Sequence, residues 1–150
     1  MLEVIQDNLP AVDMKQYVYA LQDEMLKLPP YQPLTNHYFH GGMYCREVYR
    51  DAGVTVVGKV HKKEHFYIVT SGTILVTTDT GVQRYSAPMV ILSMPGTKRA
   101  VYAETPAVCL TVHRTDAKTV EEAEKELVEY EENSMYDSNN VLKVKQEVLS

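Results

Sequence analysis

Five histidines, His37, His40, His61, His65 and His113, are the residues of this chain best suited to chemistry near neutral pH. Imidazole changes charge in that range and is a common metal ligand. His61 and His65 lie in Gly58-Lys59-Val60-His61-Lys62-Lys63-Glu64-His65-Phe66. On a helix, residues four apart share a face at about 6 Å; along a continuous strand they are about 13 Å apart, too far for one metal ion. The flanking Val, Thr, Phe, Tyr and Ile between Gly58 and Gly72 favour strand. The two rings therefore meet only if the chain bends between them, and polar Lys62-Lys63-Glu64 supplies the bend. A strand is expected to end near His61 and another to begin at His65. His65, Tyr67 and Val69 then share the inner face, with Phe66 and Ile68 on the other. Cys109, Thr111 and His113 alternate along a later run and face one way. If that way is inward, His61, His65 and His113 form a three-His site with open positions, which suits Zn, Fe, Ni or Cu.

A second arrangement of the same region needs no metal. On the motif resemblance given below, which sets Lys59 and Arg99 beside His61 and His65, these four residues would line a positive pocket, and an overall acidic chain would keep these basic groups there for a small anion. Arg99 can grip a carboxylate or phosphate bidentately, and Tyr67 or Tyr102 can stack on a planar group. His61-Lys62-Lys63-Glu64-His65 also matches the H-x-x-E-H string of inverted zinc peptidases, but that chemistry needs a helix where these flanks want strand. His37 and His40 read as loop or interface residues. There is no Gly-rich phosphate loop, no G-x-S-x-G and no paired C-x-x-C.

The elements that position these residues follow from composition and pattern. The chain has 150 residues, 45% apolar and 23% charged, which fits one globular domain with an ordinary core. The net charge of −5 argues against a general nucleic-acid binder. Met1 to Asp7 lacks the pattern of a signal peptide, and no apolar run approaches the roughly 20 residues that span a bilayer. A cytoplasmic protein without membrane contact is therefore expected, with Cys45 and Cys109 as free thiols.

Three stretches are expected: a helix and connecting arm over 1–41, a β-barrel over 42–115, and an acidic helix and tail over 116–150. Met14, Val18, Leu21, Met25 and Leu28 recur at helical spacing, behind Asp13 as N-cap and before Pro29-Pro30. In the middle, runs rich in Val, Ile, Thr and Tyr flank Asp51-Ala52-Gly53, Ser71-Gly72 and Asp79-Thr80-Gly81. The first reads as a hairpin and the other two as tight turns. Short strands at this spacing predict an antiparallel sandwich or small barrel. Thr119 and Glu122 match a capping box. Val120, Ala123, Leu127 and Tyr130 form a stripe, with the glutamates turned to water. Residues 134–150, with weakly alternating Val141 to Lys145, read as a tail that docks on a partner. Tyrosines in the first helix and first strand suit a homodimer interface.

Residues 42–114 resemble a cupin, the small double-stranded β-helix barrel. With Gly72 laid on the glycine of the cupin's first motif, His65 falls at its Glu, His61 at its second His and Lys59 at its first. Ser93-Met94-Pro95-Gly96-Thr97-Lys98-Arg99 resembles the second motif, with Arg99 at its His. The resemblance implies a jelly-roll barrel and an iron or manganese centre, but two of the four ligand positions here are basic; His113 would replace a missing ligand. The segment with its acidic helix is also similar to small cupins encoded by tailed bacteriophages, which would place it in a host cytoplasm.

The expected architecture is thus a mainly β, cupin-like barrel with a helix at each end. The favoured function is a binding protein holding one divalent metal ion (Zn, Fe, Ni or Mn) or a small anion. The ligands would be His61, His65 and His113, with Lys59, Tyr67, Arg99 and Tyr102 around the guest. The alternatives are an enzyme on the same scaffold, either a metal-dependent oxygenase or isomerase or a sugar-epimerase-like catalyst, and a structural or host-interaction protein with a closed barrel.

Overall fold

The computed structural model describes residues 13–29 and 31–131. Among the described residues, nine strands form two antiparallel sheets, flanked by helix α1 (Met14–Met25) and helix α2 (Val120–Leu127). The strands are β1 (Leu34–His40), β2 (Met43–Arg50), β3 (Thr55–Val57), β4 (His65–Ser71), β5 (Thr73–Thr78), β6 (Gly81–Ser86), β7 (Met89–Ser93), β8 (Ala100–Ala103) and β9 (Ala107–Arg114). One sheet runs β1-β2-β9-β4-β7 and the other β3-β8-β5-β6. Their inner faces meet over Tyr67, Val69, Ile74, Val76, Val101, Ala103, Ala107 and Cys109. This is the expected mainly β architecture, and the alternation of small β-branched residues with polar ones is what lets both faces pack.

One turn reading needs correction. β2 and β3 do not form a hairpin across Asp51-Ala52-Gly53: β2 pairs with β1 and β9, and β3 pairs with β8 in the opposite sheet. At Ser71-Gly72 the expected tight turn is present, and it carries the chain from one sheet to the other. Neither switch is visible locally, because a turn that changes sheets has the same Gly and polar residues as one that reverses within a sheet. Of these three turns, Asp79-Thr80-Gly81 alone closes a hairpin, β5 with β6. The barrel also begins earlier than residue 42: β1, within the expected arm, pairs along its whole length with β2.

Both helices start where their caps predict. Asp13 accepts from the amides of Lys15 and Gln16, and Thr119 accepts from that of Glu122. Val18 is fully buried, and Leu21 and Met25 join it against Val57 and Ala100. Leu28 lies past the helix end and is exposed, and Pro30 lies outside the described residues. Ala123 and Leu127 bury against Tyr44. Tyr130, however, lies beyond α2 and is 88% exposed, so it does not belong to the buried stripe. The tail from 134 onward and the start of the chain also lie outside the described residues.

Cross-strand partners Leu92, Phe66, Val112, Cys45 and Tyr38 form an uncharged row on the outer face of the five-stranded sheet. Leu92, Phe66 and Tyr38 are at least half exposed. Among the described residues, no helix is long and apolar enough to cross a membrane.

Candidate metal centre and its charged chamber

The site is built by register. On the inner face of the large sheet, Tyr44 of β2 lies opposite His113 of β9. Phe66 of β4 pairs with Val112; one step along that ladder sets His65 beside His113. The next inward layer places Tyr67 opposite Thr111, and Thr111 opposite Arg46. The inward alternation expected for β4 is present, and the shared face of Cys109 and His113 on β9 also points in: His65, Tyr67, Val69, Cys109 and His113 are buried, while Phe66 is half exposed.

His61 comes from the connection between β3 and β4, which is not helical. The exit of α2 straps this connection down. His61 bridges Val128, Lys62 N donates to the Leu127 carbonyl at 2.7 Å, and Glu129 N donates to the Val60 carbonyl at 2.9 Å. Gly96 N fixes the carbonyl of His61 from the other side, at 2.9 Å. The bend thus brings both rings to one point.

The three imidazoles converge, with ligand atoms all within 4.8 Å of one another. His61 Nδ1 and His113 Nε2 are 2.7 Å apart. Their rings lie within 4° of parallel at a 4.9 Å centroid distance. So short a nitrogen contact at that separation means that the rings meet edge to edge and share one proton. His65 lies across this pair, 4.3 and 4.2 Å from the two ring centres. Its Nδ1 donates to the Lys63 carbonyl at 3.1 Å, because a carbonyl only accepts. The neutral ring therefore keeps a lone pair on Nε2.

Burial is the main cause that lowers the proton affinity of all three rings. His61 is held well below the ordinary imidazole range, with His65 and Arg46 adding to the effect. His113 is lowered to about 3 by burial and then by His65 and Arg46, and His65 is lowered too. The triad is therefore neutral at physiological pH, which is the form that ligates metal.

The same lowering gives a pH dependence. Between about 6.5 and about 3 the unfolded chain binds protons that folded His113 refuses, so stability falls as pH drops through this window. Metal-free protein is expected to show a lower urea midpoint at about pH 5 than at about pH 7, and His113→Gln is expected to flatten that dependence. An unchanged midpoint would show that the rings are not held neutral.

The residues fit a metal by donor type, protonation state and convergence. Two nitrogens on one tetrahedral ion at about 2.0–2.1 Å lie roughly 3.3 Å apart, so a shared ion would spread His61 and His113 by about half an ångström and displace the proton between them. His113 Nδ1 is buried without a partner, so one side of that ring is unrestrained by hydrogen bonding. The Lys63 carbonyl fixes the tautomer of His65 from behind, the role outer partners play at metal sites.

Beside the triad is a cavity of about 90 Å³. Lys59, Tyr67 and Arg99 line it with His61 and His65, whereas Tyr102 does not; it faces away from the interior and is 38% exposed. Burial raises the Tyr67 hydroxyl above its usual range, so it stays protonated beside the Cys109 thiol. Arg99 donates to Ser93 Oγ at 2.8 Å, and its guanidinium lies 4.9 Å from the centre of the Tyr67 ring.

Three further residues complete the chamber. Arg46 and Arg50 line it, and Glu124 of α2 pairs with Lys59 and, at 3.4 Å, with Arg46. The arginines were legible in principle, since Tyr44, Arg46, Val48 and Arg50 alternate on what proves to be the inner face of β2. Glu124 carries no such signal, and its inward turn corrects the reading of α2's glutamates as solvated. His37, in β1, contacts Tyr44 Oη at 2.6 Å, and the same oxygen receives Arg46 Nε at 3.3 Å.

No protein-family model matches the sequence, and no curated protein matches it. Solved structures do. A cupin 2 domain-containing protein from Halorhodospira halophila superposes with a TM-score of 0.51 at 14% identity, covering 58% of this chain and 67% of its own. A cupin superfamily protein from Desulfitobacterium hafniense gives 0.50 at 13% identity, covering 59% of this chain and 83% of its own. Identities this low speak to architecture and not to activity. With the two packed sheets and their strand order, these likenesses show that the chain has the cupin fold.

Proposed function

We propose that this chain is a metal-binding protein that holds one divalent transition-metal ion on His61, His65 and His113 inside its barrel. The observation that supports the reading is the convergence of three neutral imidazoles, their ligand atoms all within 4.8 Å of one another. An all-nitrogen donor set suits zinc, iron or nickel better than manganese, which prefers oxygen. A bound ion would supply a Lewis acid with open positions. The chain's part is to orient His65 through Lys63, to hold the imidazoles neutral, and to enclose the site between two sheets.

Protein purified without chelator is expected to carry close to one metal ion per chain by elemental analysis. For the metal-free protein, an ion at about 100 times its Kd is expected to add about 2.7 kcal/mol of stability, or roughly 5–10 °C in Tm for a domain of this size. His113→Ala is expected to weaken binding by more than the 10–100-fold typical of an outer-shell change. No stoichiometric metal, together with no Tm gain from Zn, Fe, Ni or Mn, overturns the reading.

A further inference from the structure

We infer that the outer face of the five-stranded sheet is a docking surface for a second copy of this chain, packed face to face on the same surface. The inference goes beyond the metal reading and does not depend on it.

The first argument is patterning. An antiparallel sheet with one face in water alternates apolar residues inside with polar ones outside. β4, β7 and β9 break that rule. Their inward residues, among them Tyr67, Val69, Met89, Ile91 and Cys109, pack in the barrel core. The outward residues between them are Phe66 and Ile68 on β4, Val90 and Leu92 on β7, and Val108, Leu110 and Val112 on β9. Each of these is apolar, and Phe66, Val90 and Leu92 are 50%, 55% and 72% exposed. Register carries the patch across all five strands. Cys45 and Tyr38 continue the row of Phe66 and Val112, and Tyr49 and Leu34 continue that of Val108. Neither helix covers this face, since α1 packs on Val57 and Ala100 and α2 on Tyr44. An apolar surface this continuous marks a contact site.

The second argument is that the polar groups of the face are already prepared for burial. Glu47 is the one carboxylate among the described outward residues of these strands. Its neighbours on the same face satisfy it: Asn36 Nδ2 donates at 3.2 Å and Tyr38 Oη at 3.4 Å. A carboxylate held in this way costs less to cover than a bare one. The other polar residues sit at the margins. His40 and Arg114 flank Met43 at one end, and Thr70 lies at the opposite end of β4. An apolar centre with a polar rim is the anatomy of a protein–protein interface.

The third argument is size, and it selects the occupant. Five strands about 4.8 Å apart, over about 20 Å of strand length, make a plane on the order of 500 Å². A single strand about 5 Å wide or a helix about 10 Å wide would leave more than half of it in water. A second copy brings a face of the same width, and two such faces together bury on the order of 1,000 Å², the size at which an interface becomes specific. Symmetry supplies the match, because an isologous contact sets this apolar surface on itself with β9 central in both copies. Phe66 and Val112, near that centre, are the sequence neighbours of His65 and His113, so the strands that point ligands inward point the contact outward.

The test is sedimentation equilibrium of the full chain at about 1 and about 100 μM, read beside the reactivity of Cys45. Cys45 lies partly buried in the face, whereas Cys109 is buried in the core, so a thiol reagent reports on the face. At the higher concentration the chain is expected to have twice the mass of one copy, with Cys45 labelled several-fold more slowly than in dilute protein. Phe66→Lys is expected to raise the dimer dissociation constant at least about thirtyfold, because it sets like charges together in a buried contact. Val82→Lys, at a residue 56% exposed on β6 of the other sheet, is expected to leave that constant unchanged. Should Phe66→Lys lower the Tm of the dilute protein, Leu92→Lys at the more exposed edge carries the test, with an expected loss of at least about fivefold. A single-copy mass at the higher concentration overturns the proposal. Slow labelling of Cys45 in that monomer, judged against the urea-unfolded chain, would then assign the face to terminal segments of the same chain, and rapid labelling to another protein. A dimer that both lysine variants leave intact overturns it as well.

Discussion

Gly72→Ala is expected to destabilise the protein by at least about 3 kcal/mol, among the largest losses available to a single substitution in this chain. Two causes act together. Gly72 has φ of +82°, where a residue with a Cβ is strained. A Cβ there would also lie 2.1 Å from the Pro106 carbonyl oxygen and 2.9 Å from Ala107 Cα, both backbone atoms that cannot rotate away. The turn has no slack: Ala87 N donates to the Gly72 carbonyl, Thr73 N to Thr105 Oγ1, and Glu104 N to the Thr73 carbonyl. Gly72 is also where the chain passes from the sheet carrying His65 to the one opposite, so a shifted turn disturbs the stacking of both. Gly53→Ala is the control, because Gly53 has φ of +84° but nothing within 4 Å of its virtual Cβ. It is expected to cost only the backbone strain, about 1–2 kcal/mol. Denaturant melts of both variants check the argument, and equal losses would remove the packing explanation for Gly72.

The Lys98→Ala variant is expected to lose about 3 kcal/mol, the lower end for breaking a buried ion pair. The Lys98 side chain is fully buried. Its ammonium donates to both oxygens of Glu131 at 2.7 and 2.9 Å and to Gln22 Oε1 at 2.9 Å, and it lies 4.8 Å from the centre of the Tyr19 ring. One cation thus ties α1, the segment after α2 and the loop before β8 together. Removing it leaves the Glu131 carboxylate, 12% exposed, without its main partner, and takes one donor from buried Gln22. The expected drop in Tm is roughly 6–12 °C. The double variant Lys98→Ala/Glu131→Gln is expected to be less damaging than the sum of its parts, because the stranded charge is gone. Additive losses in that cycle would show that the pair is not coupled.

These two positions also show what a sequence can and cannot carry. Strand alternation depends on neighbours one and two residues away, so the inward placement of His65, Tyr67 and Val69 was legible, as was the common face of Cys109 and His113 but not its direction. The caps at Asp13 and Thr119 were legible for the same reason, since an N-cap is a contact over two or three residues. The bend that joins His61 to His65 followed from strand geometry alone. Sheet membership was not legible: the residues at Asp51–Gly53 and Ser71–Gly72 specify that the chain turns, but not which strand it will meet. That choice was made by β9 and β8, which lie some forty or more positions later in the chain and insert beside β2 and β3.

The chamber divides along the same line. His61 and His65 advertised themselves by type and spacing, whereas Lys59 and Arg99 were marked only by the resemblance to the cupin motifs. Arg46 and Arg50 acquired an inward meaning only once β2 was fixed between β1 and β9. Tyr102, chosen for its chemistry, faces out because β8 puts Val101 and Ala103 inside. Glu124 looked like one more solvated glutamate on an acidic helix until the packing of α2 on Tyr44 set its carboxylate against Arg46 and Lys59. Local pattern determined which side chains point together along each strand. Long-range packing alone decided which of those faces share an interior, because that depends on contacts between segments whose separation along the chain leaves no periodic trace.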